Sequence, residues 1–274
     1  MDELLRARRG FVLEALDCDA TPGITVGKKH AEQLLAGGAE RLGALQERLF
    51  AASRAGATRR VLLVLQAMDT AGKGGIVRHV VGAVDPQGVQ LTAFKKPTDE
   101  ELGHHFLWRV ERRLPDAGMM GVFDRSHYED VLIGRVRELA PAKEIEQRYS
   151  QITDFERRLA NDGVSIVKVM LHISRDEQKA RLVERLERPE KHWKYNPGDV
   201  DERMLWGFYQ AAYQLAIERT DAEHAPWYVV PANHKWYARL AVQSLLIAAL
   251  ERIDPQWPLA DFDVEVEKAR LAAT

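Results

Sequence analysis

The chain is poor in cysteine. Cys18 stands alone among 274 residues, so no intrachain disulfide can form, which suits a reducing cytoplasm. No stretch approaches the roughly 18 consecutive apolar residues of a membrane-spanning helix, and the opening MDELLRARRG lacks the charged-then-apolar layout of a signal peptide. Neither sign of charge dominates: the formal net charge is −2, so a polyanion would have to be held by a local basic patch. The histidines, His104 and His105 among them, lack metal-site spacing and have no cysteine partners, which argues against zinc. No internal repeat, low-complexity tract or dividing linker is visible, and no Ser-His-Asp constellation can be argued. With 46% hydrophobic and 29% charged residues, the chain reads as one globular domain, residues 1–274, with no membrane or nucleic-acid partner.

What is present is concentrated in VLLVLQAMDTAGKGG, Val61 to Gly75. Val61 to Leu65 form a short apolar run, as a buried parallel strand does. A glycine-rich turn then leads into the helical stretch IVRHVVGAV. Strand, glycine turn, lysine and helix together make a phosphate cradle. The N–H groups of Thr70, Ala71, Gly72, Gly74 and Gly75 can approach oxyanions, the helix N-terminus adds partial positive charge, and Lys73 adds a full one. The match to G-x-x-x-x-G-K-[ST] is imperfect. Ala67 replaces the first glycine, and Gly74 replaces the hydroxyl residue that would ligate Mg²⁺. Asp69, inside the loop, offers a carboxylate instead, which suits Mg²⁺ or Mn²⁺. A plain strand-to-helix turn with a solvated Lys73 is the competing explanation.

Apolar and helical patterns alternate along the rest of the chain. Helix is expected over 31–52, weakened at Gly37-Gly38, and over 74–84, 100–114, 129–139, 142–161, 177–187, 201–220 and 237–253. Strands are expected over 61–66, 89–94, 119–123, 164–173 and 227–230. Strands separated by helices imply βαβ units. The expected fold is therefore α/β: a P-loop kinase-like three-layer α/β/α sandwich with a five-stranded parallel sheet and a site at the carboxyl ends of the strands. Residues 1–55 read as an N-terminal helical extension, 175–200 as a helical lid and 254–274 as an acidic tail.

Further groups join the loop. Asp124 ends the third strand, a Walker B position from which a carboxylate reaches a cation beside the phosphates. Arg125 follows and can contact phosphate oxygens. Asp69 and Asp124 are thus the metal candidates, and Asp69, Lys73, Asp124 and Arg125 the catalytic ones. Lys95 and Lys96, after the second strand, are candidates to hold an acceptor, with Tyr128 and Glu129; a solvated loop explains the lysines equally well. Arg181, Arg185 and Arg188 recur at i, i+4 and i+7 on one helical face, with Lys191 and Lys194 just beyond. Guanidinium groups in a row suit a chain of phosphates. Glu177 with Arg181 and Glu184 with Arg188 are also ordinary i,i+4 pairs. Trp206, Tyr209 and Tyr213 read as core.

In these segments the chain resembles the polyphosphate kinase 2 family. QAMDTAGKGG, FDRSHYEDV, FKKPTDEELGHHFLWR, ERPEKHWKYNPGDVDER and APWYVVPANHKWYARL carry the resemblance, which runs over roughly residues 25–255. It implies phosphoryl transfer between inorganic polyphosphate and nucleotides, with Asp69 and Lys73 as the loop pair, Asp124 as the Walker B carboxylate, Arg125 as its neighbour, and Arg185 and its neighbours in the lid. The lid wording is most similar to members that accept both AMP and ADP, and relatives suggest a homo-oligomer, dimer or tetramer. An ATP-dependent nucleoside monophosphate kinase and a non-catalytic P-loop regulator remain as alternatives.

Overall fold

Four apolar runs and one alternating segment become five parallel strands in a single sheet: β1 (Arg60–Ala67), the alternating β2 (Val89–Ala93), β3 (Met120–Asp124), β4 (Val164–His172) and β5 (Trp227–Pro231). The computed structural model describes residues 1–274. Strand order is β2-β3-β1-β4-β5, with β1 central, and Leu65 of β1 lies opposite Asp124 of β3. The helices are α1 (Lys28–Arg54), α2 (Lys73–His79), α3 (Ala142–Asn161), α4 (Arg175–Glu187), α5 (Gly198–Met204), α6 (Trp206–Thr220), α7 (Lys235–Ile253) and α8 (Val264–Ala272).

The pleat of β1 divides the core. Val61, Leu63 and Leu65 face one layer, shared with Leu42 and Leu49 of α1, Ile76 of α2 and Leu246 of α7. Leu62 and Val64 face the other, shared with Ile152 and Phe155 of α3 and Ala212 and Ile217 of α6. Both faces are covered, as an all-parallel sheet requires, and the result is the expected three-layer α/β/α sandwich. The β5 edge is covered by the N-terminal segment, where the Ala7 N–H donates to Trp227 O at 2.8 Å and Arg6 bridges Tyr228.

Several boundaries differ from the sequence reading. Gly37-Gly38 does not interrupt α1. A Cβ on Gly38 would stand 2.1 Å from Gln243 Oε1, so this glycine serves the close approach of α1 to α7. Residues 100–114 form only two short turns, Asp99–Leu102 and Trp108–Glu111, separated by weak helix formers at Gly103, His104 and His105. His104 instead stacks on Trp108, centroids 4.0 Å apart. The helix expected over 129–139 shrinks to a 3₁₀ turn at His127–Asp130 and one turn at Ile133–Val136. That expected over 201–220 divides at Leu205 into α5 and α6. The tail holds an unforeseen helix, α8, whose Asp263 carboxylate accepts from the N–H groups of Glu265 and Val266.

Candidate active site

The glycine-rich loop leaves the carboxyl end of the central strand. Ala67 is still in the strand, paired with Leu171, so no glycine is needed there. The chain turns instead at Thr70, a non-glycine residue with φ of 65°, and at Gly72, with φ of 117°. Gly72 then caps α2, its carbonyl accepting from Gly75 and Ile76. Lys73 folds back across the loop and donates to Ala67 O at 3.1 Å. Nothing would obstruct a side chain at Gly74, so the absence of a hydroxyl there is not a steric necessity.

The second strand end arrives beside it. Arg125, with φ of 64°, follows Asp124 at the carboxyl end of β3, and its N–H donates to Leu65 O. Its guanidinium bridges Asp69 Oδ1 at 3.1 Å and Glu129 Oε2 at 3.3 Å. Burial works against the charge of Arg125, yet Glu129, Asp69 and Asp124 hold its pKa above the ordinary arginine value. Burial raises the pKa of Glu129, with Arg125 and Lys73 opposing. Gln66, fully buried in β1, accepts from Ser126 and donates to Glu129 Oε1 at 3.0 Å. A cavity of about 220 Å³ opens here, lined by Asp69, Arg125, Glu129, Asp199, Tyr209 and Tyr213. A larger one of about 800 Å³, between residues 12–19 and α6, contains none of the loop.

The fold thus gathers Asp69, Lys73, Asp124, Arg125 and Glu129 along one edge. Lys95 and Lys96 lie exposed on the loop after β2 at the same edge, where Lys95 O accepts from Arg109. Tyr128 does not join them. Its ring is fully buried, and its hydroxyl meets Glu156, Thr220 and Lys168 at 2.8, 3.0 and 2.9 Å, so it cannot touch an acceptor. Arg181 is likewise no free phosphate ligand: it is 5% exposed and bound to Glu177 and three backbone carbonyls. The arginine row therefore grades from buried to exposed. Arg185 donates to Asp199 and to Lys194 O at 3.2 and 2.9 Å, while Arg188 does not share the helical face: α4 ends at Glu187 ahead of Pro189, and the extended Arg188 pairs at the surface with Glu184 and Glu190. Lys191 pairs with Glu184, and Lys194 lies over the exposed Trp193 ring.

Sequence reasoning missed Gln66, Asp199 and Glu202. Gln66 had a signal, being the one polar residue in VLLVLQA; Asp199 and Glu202, which also lines this cavity, both stand in the segment ERPEKHWKYNPGDVDER that carried the family resemblance. No cluster of three or more ligating side chains exists. Asp69 and Asp124 nonetheless fit Mg²⁺, which takes one or two carboxylates and fills its other positions with water and substrate phosphates.

A family profile described as polyphosphate kinase 2 matches residues 26–258. The AMP/ADP-polyphosphate phosphotransferase of Meiothermus ruber is 46% identical over 248 residues, covering 90% of this chain and 91% of that protein. The ADP-polyphosphate phosphotransferase of Rhodopseudomonas palustris is 42% identical, covering 84% and 83%. The crystal structure of polyphosphate kinase 2 from Arthrobacter aurescens superposes with a TM-score of 0.97 at 59% identity, covering 99% of this chain and 96% of that one.

Proposed function

The chain belongs to the polyphosphate kinase 2 family, and from that premise we propose that it transfers phosphoryl groups reversibly from inorganic polyphosphate to AMP and ADP, forming ADP and ATP. The observation that carries this reading is the 46% identity to the Meiothermus ruber AMP/ADP-polyphosphate phosphotransferase across nine-tenths of both chains. An ATP-dependent monophosphate kinase would share the fold but has no such support.

Little covalent chemistry is asked of the protein. A terminal phosphate oxygen of the acceptor bonds to the end phosphorus of polyphosphate as the bond to the bridging oxygen breaks. The shortened chain leaves as an anion. The attacking oxygen is already ionised, so no base need remove a proton. Lys73 and the N–H groups of Thr70, Gly72 and Gly74 hold the transferring group; those of Ala71 and Gly75 are taken by Met68 O and Gly72 O. Arg125, tied to Asp69 and Glu129, presents its guanidinium to the acceptor phosphates. Mg²⁺, or Mn²⁺, held by Asp69 and Asp124 would neutralise phosphate charge. Residues 175–200 act as the lid: Arg185, Arg188, Lys191 and Lys194 bind the polyphosphate tail, and closure excludes water that would otherwise hydrolyse the donor. Lys95 and Lys96 offer further charge on the acceptor side.

The enzyme works in the cytoplasm, where its nucleotide acceptors are held. As a homo-oligomer, dimer or tetramer, it would cover exposed apolar side chains of the tail such as Trp257, Leu259 and Phe262. The test is steady-state kinetics with AMP and with ADP, each with and without added Mg²⁺, polyphosphate being the only donor. Metal-dependent turnover with both acceptors is expected. Turnover with one acceptor only removes the dual-acceptor reading, and full turnover in excess chelator removes the metal.

A further inference from the structure

We propose that Gln178 and Arg181, on the first two turns of the lid helix α4, are positioning residues that fix the loop carboxylate Asp69. The proposal rests on the reading of Asp69 as a metal ligand. Two consecutive loop carbonyls are held by these side chains: Gln178 Nε2 donates to Asp69 O at 3.2 Å, and Arg181 Nη1 donates to Thr70 O at 3.0 Å. Both side chains are almost fully buried, at 1% and 5% exposure, so water does not compete for these bonds.

Each of the two is itself held. Arg181 Nη2 donates to Ala232 O at 2.7 Å and to Asn233 O at 2.9 Å, just beyond β5, while Nε pairs with Glu177 at 2.6 Å. Gln178 Oε1 accepts from Arg203 of α5 at 3.0 Å, and Arg203 also donates to Arg175 O. Arginine can only donate, so this contact fixes the Gln178 amide with its NH₂ towards Asp69. The clamp therefore joins the loop to α4, α5 and the end of β5.

The place it grips is where the loop needs holding. Thr70 carries a left-handed backbone, unfavourable for a β-branched residue, and such geometry persists only where surrounding structure imposes it. Thr70 Oγ1 is buried without a partner, so the side chain supplies no bond of its own to hold the turn. Gly72 lies under the same guanidinium, a Cβ there standing 3.9 Å from Arg181 Nη1. Asp69 directly precedes this turn: the clamp fixes the backbone from which its carboxylate projects, and Arg125 holds the carboxylate itself at 3.1 Å. The first two turns of α4 thus belong to the fixed base of the site, so within the 175–200 lid segment only the part beyond Arg181 is left to close.

Arg181→Lys keeps the charge but loses the fork, and Gln178→Met keeps the volume but loses the donor. Loss of a group orienting a metal ligand costs roughly ten- to a hundred-fold in metal affinity or activity. For each variant we expect kcat and Mn²⁺ affinity, read from the electron paramagnetic resonance of free Mn²⁺, to fall together in that range, with the ADP KM changed less than about threefold. Combined with Asp69→Asn, either substitution should add almost nothing, because both act through the same carboxylate. Wild-type Mn²⁺ affinity and kcat in folded Gln178→Met and Arg181→Lys, or full additivity with Asp69→Asn, overturns the clamp. If only Arg181→Lys fails to fold, Gln178→Met decides. A wild-type protein that transfers phosphate while Asp69→Asn binds Mn²⁺ normally would instead overturn the metal assignment on which the clamp rests.

Discussion

Replacing Lys168 by Met should destabilise the protein strongly and invert part of its pH dependence. Lys168 sits in the centre of β4 with no exposure, and its ammonium donates to Glu156 Oε2 at 2.7 Å, Thr220 O at 2.8 Å and Tyr128 Oη at 2.9 Å. Glu156 is 1% exposed and also meets His127 and Tyr128. Burial, the largest influence, would raise the Glu156 pKa, but Lys168 and His127 together pull it below the ordinary value. Met fills the space and leaves an unpaired buried carboxylate. Breaking such a pair costs about 3–5 kcal/mol. For a chain of this length the unfolding entropy is about 0.6 kcal/mol per degree, so the melting temperature should fall by roughly 5–9 °C.

The sign of the pH effect follows from the same group. In the wild type a depressed Glu156 pKa contributes stability above the unfolded value that is lost as pH falls through the folded one. Without Lys168, burial prevails and the folded pKa rises. The difference in stability between wild type and variant should therefore widen as pH rises from about 4.3, the unfolded glutamate value, towards neutrality. Urea denaturation of both proteins at several pH values reads this directly. Lys168→Met/Glu156→Gln, which removes both charges and keeps an acceptor for Tyr128, should recover most of the loss. A single variant within about 1 kcal/mol of wild type, or a double variant no better than the single, refutes the reasoning.

Asp69→Asn and Asp124→Asn should each lower kcat by about 10²-fold or more with little change in melting temperature, since both carboxylates lie at the loop edge rather than in the core; near wild-type turnover at saturating Mg²⁺ would remove the metal assignment. Gly74→Ser should not rescue Asp69→Asn, although the space around Gly74 is open, because the carboxylate and not a loop hydroxyl sets the metal position; substantial recovery in the double variant counts against this. Arg185→Ala loses the contact to Asp199 and should raise the polyphosphate KM by roughly ten- to a hundred-fold, the worth of one charge-assisted hydrogen bond, with ADP KM changed less. An unchanged polyphosphate KM would return Arg185 to a structural pair with Asp199.

The sheet was legible because four strands are dense apolar runs and β2, VQLTA, alternates, and the loop because glycine, lysine and a following helix recur in fixed order. The short helices after Thr98 and Ser126 were not. There, local contacts such as the His104–Trp108 stack and the buried Tyr128 hydroxyl network override a sequence pattern that looks helical. Helical periodicity placed Arg181 and Arg185 on α4, but α4 ends at Glu187 and Arg188 has an extended backbone beyond it, and the pattern could not show that the row runs from the glycine-rich loop to the solvent. Tyr128 misled for a related reason. Adjacency to Asp124 in sequence suggested the site, whereas the turn at Arg125, with φ of 64°, sends the following residues inward. Gln66 and Lys168 each interrupt an apolar strand, and both are buried polar anchors beneath the loop after β3.

The central claim is that inorganic polyphosphate is the phosphoryl donor, and ³¹P nuclear magnetic resonance of the purified protein with ADP, polyphosphate and Mg²⁺, myokinase activity being blocked, tests it most directly. The account predicts that the γ-phosphate signal of ATP grows as polyphosphate shortens, with no inorganic phosphate released in proportion. ATP formation that is absent with polyphosphate, while AMP is phosphorylated when ATP is supplied as the donor, would contradict it.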